Sequence, residues 1–80
     1  MEGMTEAEIR DRIVVDPAVC GGRPVVRGHR IWVSLILGML AEGLTPAEII
    51  GEYPQLEEED IRACAAYGAL LASGRFVDLG

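Results

Sequence analysis

The stretch from Cys20 to Val33, Cys-Gly-Gly-Arg-Pro-Val-Val-Arg-Gly-His-Arg-Ile-Trp-Val, most constrains what this chain folds into. Its apolar residues come in short groups separated by glycine, proline, histidine and arginine, a spacing that suits a tight β-hairpin and no amphipathic helix. Pro24 lacks a backbone donor and fits the start of a strand. Val25-Val26-Arg27 and Arg30-Ile31-Trp32 then flank Gly28-His29, and glycine at the first central position of a two-residue loop is what a type II′ turn requires. Arg27 and Arg30 would then face each other, and like charges there are unfavourable unless something anionic is near. Trp32, the one tryptophan, is expected to pack as a buried hinge between the hairpin and the following helix.

From Ser34 the period changes. Ile36, Leu37, Leu40, Ala41 and Leu44 recur at helical spacing, and Leu35 and Met39 widen the face, so this helix is expected to be buried on nearly every side. Gly43 stops it at the C′ position. Thr45 as N-cap, Pro46 at the first helical position and Glu48 closing a capping box restart the chain as a second helix, with Ile49 and Ile50 inward. Tyr53-Pro54-Gln55-Leu56 breaks it. Glu57, Glu58, Glu59 and Asp60 crowd the start of a third helix, where negative charge meets the positive dipole end. Its inward stripe reads Ile61, Cys64, Ala65, Gly68, Leu71 and Ala72, and Ser73-Gly74 ends it.

Upstream, Thr5 and Glu8 form a capping box for a short helix from Glu6 to Arg12, with too few apolar side chains to hold it firmly. Ile13-Val14-Val15 reads as a short strand stopped by Asp16-Pro17. The tail from Arg75 to Gly80 offers Phe76, Val77 and Leu79 as docking groups. The fold class expected is therefore α+β and mainly helical: a short N-terminal β-hairpin, with Ile13 to Val15 as a third strand, over a trihelical helix-turn-helix-like bundle. It forms a single domain, with strand and hairpin at 13–33, three helices at 34–73 and a tail at 74–80.

Half of the 80 residues are apolar. A chain this short buries a limited core, so a homodimer is the expected way to cover the excess. Cys20 and Cys64 lie far apart without CxxC spacing and read as free thiols of a reducing compartment. With neither a signal peptide nor an apolar run long enough to span a bilayer, a cytoplasmic protein without membrane contact is expected.

The net charge is −6, which counts against a general nucleic-acid binder but leaves room for a local basic patch. In a helix-turn-helix the third helix would meet DNA by its N-terminal residues, and here those are Glu57 to Asp60, a poor reading head. The hairpin instead bears Arg23, Arg27, His29 and Arg30, the candidate nucleic-acid or anion-binding residues, since a two-stranded ribbon enters a groove. The competing reading, weighted equally, pairs these arginines with Asp16, Asp11 or the glutamates of another chain. Glu57, Glu58, Glu59 and Asp60 suit a basic protein partner, with Phe76 as an apolar anchor. No spacing resembles a metal site, no cofactor is implied, and Cys20 with His29 lacks a third orienting group, so no enzymatic activity is expected.

The residues Ile13-Val14, Asp16-Pro17, Cys20 to Val33, Gly43-Leu44-Thr45, Glu48-Ile49, Tyr53-Pro54, Leu56 and Glu59-Asp60-Ile61 together resemble a small bacterial and archaeal family, domain of unknown function 433 (DUF433). His29 departs from it, standing where the family usually has Thr. The resemblance implies a β-hairpin followed by a homeodomain-like trihelical bundle. It also implies a VapB-antitoxin-like role in a toxin–antitoxin system, neutralising a PIN-like ribonuclease toxin; the arginines of the hairpin add operator DNA as a further expected partner. The alternative is a non-catalytic homo-oligomerisation or scaffold module without nucleic-acid contact.

Overall fold

Thr5 opens α1 (Glu6–Arg12) through the expected reciprocal bonds: its Oγ1 accepts the Glu8 N–H at 3.1 Å, and Glu8 Oε1 accepts the Thr5 N–H at 2.8 Å. In this computed structural model the described residues are 4–18 and 20–73, without the side chain of Cys20. The last helix reaches its C-cap at Ser73, as expected, while Gly74 and the docking of Phe76, Val77 and Leu79 lie outside the described residues.

The chain passes from helix to strand without a linker. Ile13 donates its N–H to the Ile9 carbonyl, yet its own backbone is already extended. β1 (Ile13–Val14), β2 (Val25–Val26) and β3 (Ile31–Trp32) form an antiparallel sheet in that order. One row of the register, Ile13–Val26–Ile31, is buried in the main core, and the other, Val14–Val25–Trp32, faces away from it. Strand alternation requires this: with Ile31 inward, Trp32 points outward. Trp32 is accordingly 40% exposed rather than a buried hinge. Its replacement by alanine is expected to cost about 1–2 kcal/mol in a urea melt, below the roughly 3–5 kcal/mol of a fully buried aromatic.

α2 (Val33–Ala41), α3 (Pro46–Glu52) and α4 (Glu58–Ala72) follow. Gly43, at φ +98°, donates its N–H to the Leu40 carbonyl while Leu44 donates to Met39, a Schellman ending for α2. Thr45 and Glu48 repeat the reciprocal cap at α3. Each helix supplies one isoleucine to a shared centre: Ile9, Ile36, Ile49 and Ile61 are each at most 2% exposed. The architecture is thus α+β and mainly helical, with α1 as a fourth member of the helical layer, packed on α4.

Two stripes differ from the sequence expectation. On α2 only Val33 and Ile36 are buried, while Leu35 is 42% exposed. The helix lies at the edge of the body and turns Ser34, Leu35, Gly38 and Ala41 outward. On α4 the buried residues are Asp60, Ile61, Ala63, Cys64 and Tyr67, whereas Ala65, Leu71 and Ala72 are exposed. Contacts on three sides, with α1, α2 and α3, set that orientation. Gly68 lies so close to Leu37 that an added Cβ would sit 3.1 Å from its Cδ1.

Candidate functional site

The hairpin turn is wider than the two-residue loop expected. Residues 27–30 all lie between β2 and β3. His29 donates its N–H to the Val26 carbonyl at 3.1 Å, so Gly28, at φ +83°, takes the third position of the turn. Positive φ at that position is the demand of a type II turn. Arg30 follows at φ +56°, the one non-glycine residue in the left-handed region among those described.

That geometry separates the four candidate anion-binding residues. Arg27 does not oppose Arg30 for an anion to bridge. Its Nε donates to the Asp11 carbonyl and its Nη2 to the Arg10 carbonyl, both at 2.8 Å. These oxygens belong to the last turn of α1, where helical carbonyls lack partners and a cation is favoured by the dipole. Arg27 therefore caps α1, and it does so through backbone oxygens rather than the Asp11 carboxylate. Asp16 is also occupied locally, its Oδ1 accepting the Ala18 N–H at 2.9 Å. Arg23 lies over the Trp32 ring, its guanidinium carbon 4.5 Å from the centroid, a cation–π contact at a solvent-facing site. Arg23 and Arg30 are exposed, and His29 is half-buried.

The acidic start of α4 is likewise divided. Arg12 Nη1 donates to Glu57 Oε1 and to Asp60 Oδ1, each at 2.9 Å. Asp60 Oδ2 also accepts the Glu57 N–H at 2.8 Å and holds the first turn of the helix. Asp60 is only 6% exposed, so it is an internal anchor rather than a residue a partner could reach. The carboxylates of Glu57 and then Asp60 raise the Arg12 pKa above its ordinary value. Glu58 and Glu59 remain on the surface, Glu59 within 3.5 Å of Arg62. Arg12 escaped the sequence reading because its partners lie more than forty residues away. No local pattern signals such a pair.

Cys64 is fully buried, and burial, with the nearby Asp60 charge adding to it, pushes its thiol up to about 12. Burial also raises the Tyr67 phenol. The folded state thus favours the neutral form of both groups. For Cys64 that stabilisation is complete below its unfolded value of 9.0 and is lost as pH rises toward about 12. Urea midpoints are expected to be level near pH 8 and to fall above pH 9, less steeply in Cys64→Ala, with a limit of about 1.4 kcal/mol per pH unit for each group. A buried thiol of this kind is no nucleophile. Among the described residues no group of three His, Cys, Asp or Glu side chains converges as a metal site would need. Among the same residues no helix is long and apolar enough to cross a membrane.

The sequence profile of a family described as "Protein of unknown function (DUF433)" matches residues 13–68, and the chain belongs to that family. The match begins at β1 and ends within α4, leaving α1 outside it. An uncharacterised protein of Sinorhizobium fredii (strain NBRC 101917 / NGR234), y4eO, is 33% identical over 61 residues. That alignment covers 76% of this chain and 28% of the relative, so the chain spans less than a third of the relative's length. No solved structure matches the chain.

Proposed function

We propose that this member of the DUF433 family is a non-catalytic, antitoxin-like protein that binds and neutralises a PIN-like ribonuclease. The observation that carries this reading is the start of α4. Arg12 locks Glu57 and Asp60 in place, and Glu58 and Glu59 are left on the surface beside them. A ribonuclease groove is basic, and an acidic projection of fixed geometry gains association rate from complementary charge. The partner to test is a PIN-like ribonuclease that co-purifies with this chain. Binding is expected to weaken as salt rises, and a folded Glu58→Lys, Glu59→Lys variant is expected to lose the fast association. Unchanged association kinetics in that variant would remove α4 from the contact.

A second activity, contact with operator DNA through the hairpin, is favoured by Arg30. Left-handed backbone costs a non-glycine residue about 1–2 kcal/mol, and such strain concentrates at functional positions. Arg23 on the exposed Trp32 ring lies on the same hairpin. Arg30→Gly is expected to raise stability by about 1 kcal/mol in a urea melt while weakening any salt-dependent operator shift. Arg27 is the wrong position for that test, because its loss uncaps α1. A shift that survives in an Arg23→Ala, Arg30→Ala protein would exclude the hairpin as the DNA-contacting surface.

A further inference from the structure

We infer that the outward face of α2 is the two-fold contact of a homodimer, with two antiparallel α2 helices crossing at Gly38. The inference stands apart from the ribonuclease reading and does not depend on it. Ser34, Leu35, Ala41 and Glu42 lie three or four residues from Gly38, and all five are exposed. Such spacing places them on one helical face. From Ile31 to Ala41 the sequence carries no charge, although the chain as a whole is at −6. Two acidic copies avoid like-charge opposition where the touching surfaces are neutral.

Three features set the arrangement. Gly38 is in the middle of a nine-residue helix, where glycine costs about 1 kcal/mol relative to alanine. Nothing among the described residues accounts for it, because a Cβ added there meets none of their atoms within 4 Å. Gly68, by contrast, is explained by its closeness to Leu37. A second helix crossing at Gly38 supplies the missing reason, since glycine lets two backbones approach. The second feature is the large apolar area at the start of the helix, where Trp32 and Leu35 are 40% and 42% exposed. In an antiparallel crossing they meet the Ala41 end of the other copy.

The third feature is charge complementarity. Arg23, seated on Trp32, marks the N-terminal end of the face, and exposed Glu42 caps its C-terminal end. Antiparallel pairing brings Arg23 of one copy to Glu42 and the negative dipole end of α2 in the other, twice over. Parallel pairing would bring like to like. A two-fold contact of ordinary size buries about 800 Å² per copy, more than one short helix face provides, so Trp32 and Arg23 belong to the contact as well.

Sedimentation equilibrium of the whole chain from about 5 to 500 μM tests this. The wild-type chain is expected at twice its monomer mass over the upper part of that range. Gly38→Gln is expected to weaken the dimer by at least tenfold while leaving the monomer as resistant to urea as before, or more so. Leu35→Gln reads the same face by an independent change and decides the matter if Gly38→Gln folds poorly. Arg23→Glu alone is expected to weaken association, and adding Glu42→Arg to restore it. A wild-type chain that stays monomeric throughout would overturn the proposal. So would a dimer whose dissociation constant is unmoved by both Gly38→Gln and Leu35→Gln.

Discussion

Ile9→Ala is expected to lower the unfolding free energy by about 3 kcal/mol, within the range for buried isoleucine truncation. Ile9 has no exposed surface and belongs to the same cluster as Ile36, Ile49 and Ile61. Truncation forfeits the transfer energy of three carbons and leaves a cavity facing α4, whose backbone is held on other sides by α2 and α3 and cannot collapse inward. For a domain of this size the loss is a large share of total stability. The check is a urea or guanidinium melt, with the slope compared between variant and wild type to establish a two-state transition. A loss below about 1 kcal/mol would show α1 to be an ornament on the family core rather than part of it.

Arg12→Ala is expected to cost about 2–3 kcal/mol. The full penalty of roughly 3–5 kcal/mol for breaking a buried pair is reduced because Arg12 and especially Glu57 reach water, which screens them. What remains is the cost of leaving the Asp60 carboxylate without its cation at 9% side-chain exposure. Adding Asp60→Asn should recover part of the loss, since asparagine removes the stranded charge and keeps an oxygen for the Glu57 N–H. If the double variant is no more stable than Arg12→Ala, the stranded charge is not the cause. The pair carries structural weight beyond its energy, because it ties the end of α1 to the first turn of α4. The same end of α1 is gripped by Arg27 from the hairpin. Helix α1 thus joins the two halves of the molecule through polar contacts at its C-terminus and Ile9 in the core.

What could be read in advance was local. Both Thr–Glu capping boxes appear as expected, because all of their atoms lie within four residues. Gly43 ends α2 as its place in the pattern required. The strand pattern of the hairpin was equally legible, and its alternation contained the position of Trp32: Ile31 inward obliges Trp32 outward. Ring size, taken alone, pointed the other way.

What escaped was set by distant partners. Asp60 read as one more solvated acid at a helix start, because Arg12, which lets it be buried, is forty-eight residues away. Once Asp60 turns inward, Ala63, Cys64 and Tyr67 follow at helical spacing, and Ala65 and Ala72 must face out. Arg27 read as half of a repulsive pair because the carbonyls it caps belong to α1. The candidate sites were changed by the same cause. Of the three hairpin arginines, Arg27 is spent on α1 and Arg23 lies on Trp32. Of four acids at α4, Asp60 is internal and Glu57 is held by Arg12, which leaves Glu58 and Glu59 on the surface, Glu59 beside Arg62.

Cleavage of a single-stranded RNA by a PIN-like ribonuclease that co-purifies with this chain, titrated with the folded chain, tests the functional account most directly. Activity is expected to fall to background near one equivalent, and to persist when the titrant is the Glu58→Lys, Glu59→Lys protein. Undiminished cleavage in an excess of folded wild-type chain would contradict the account.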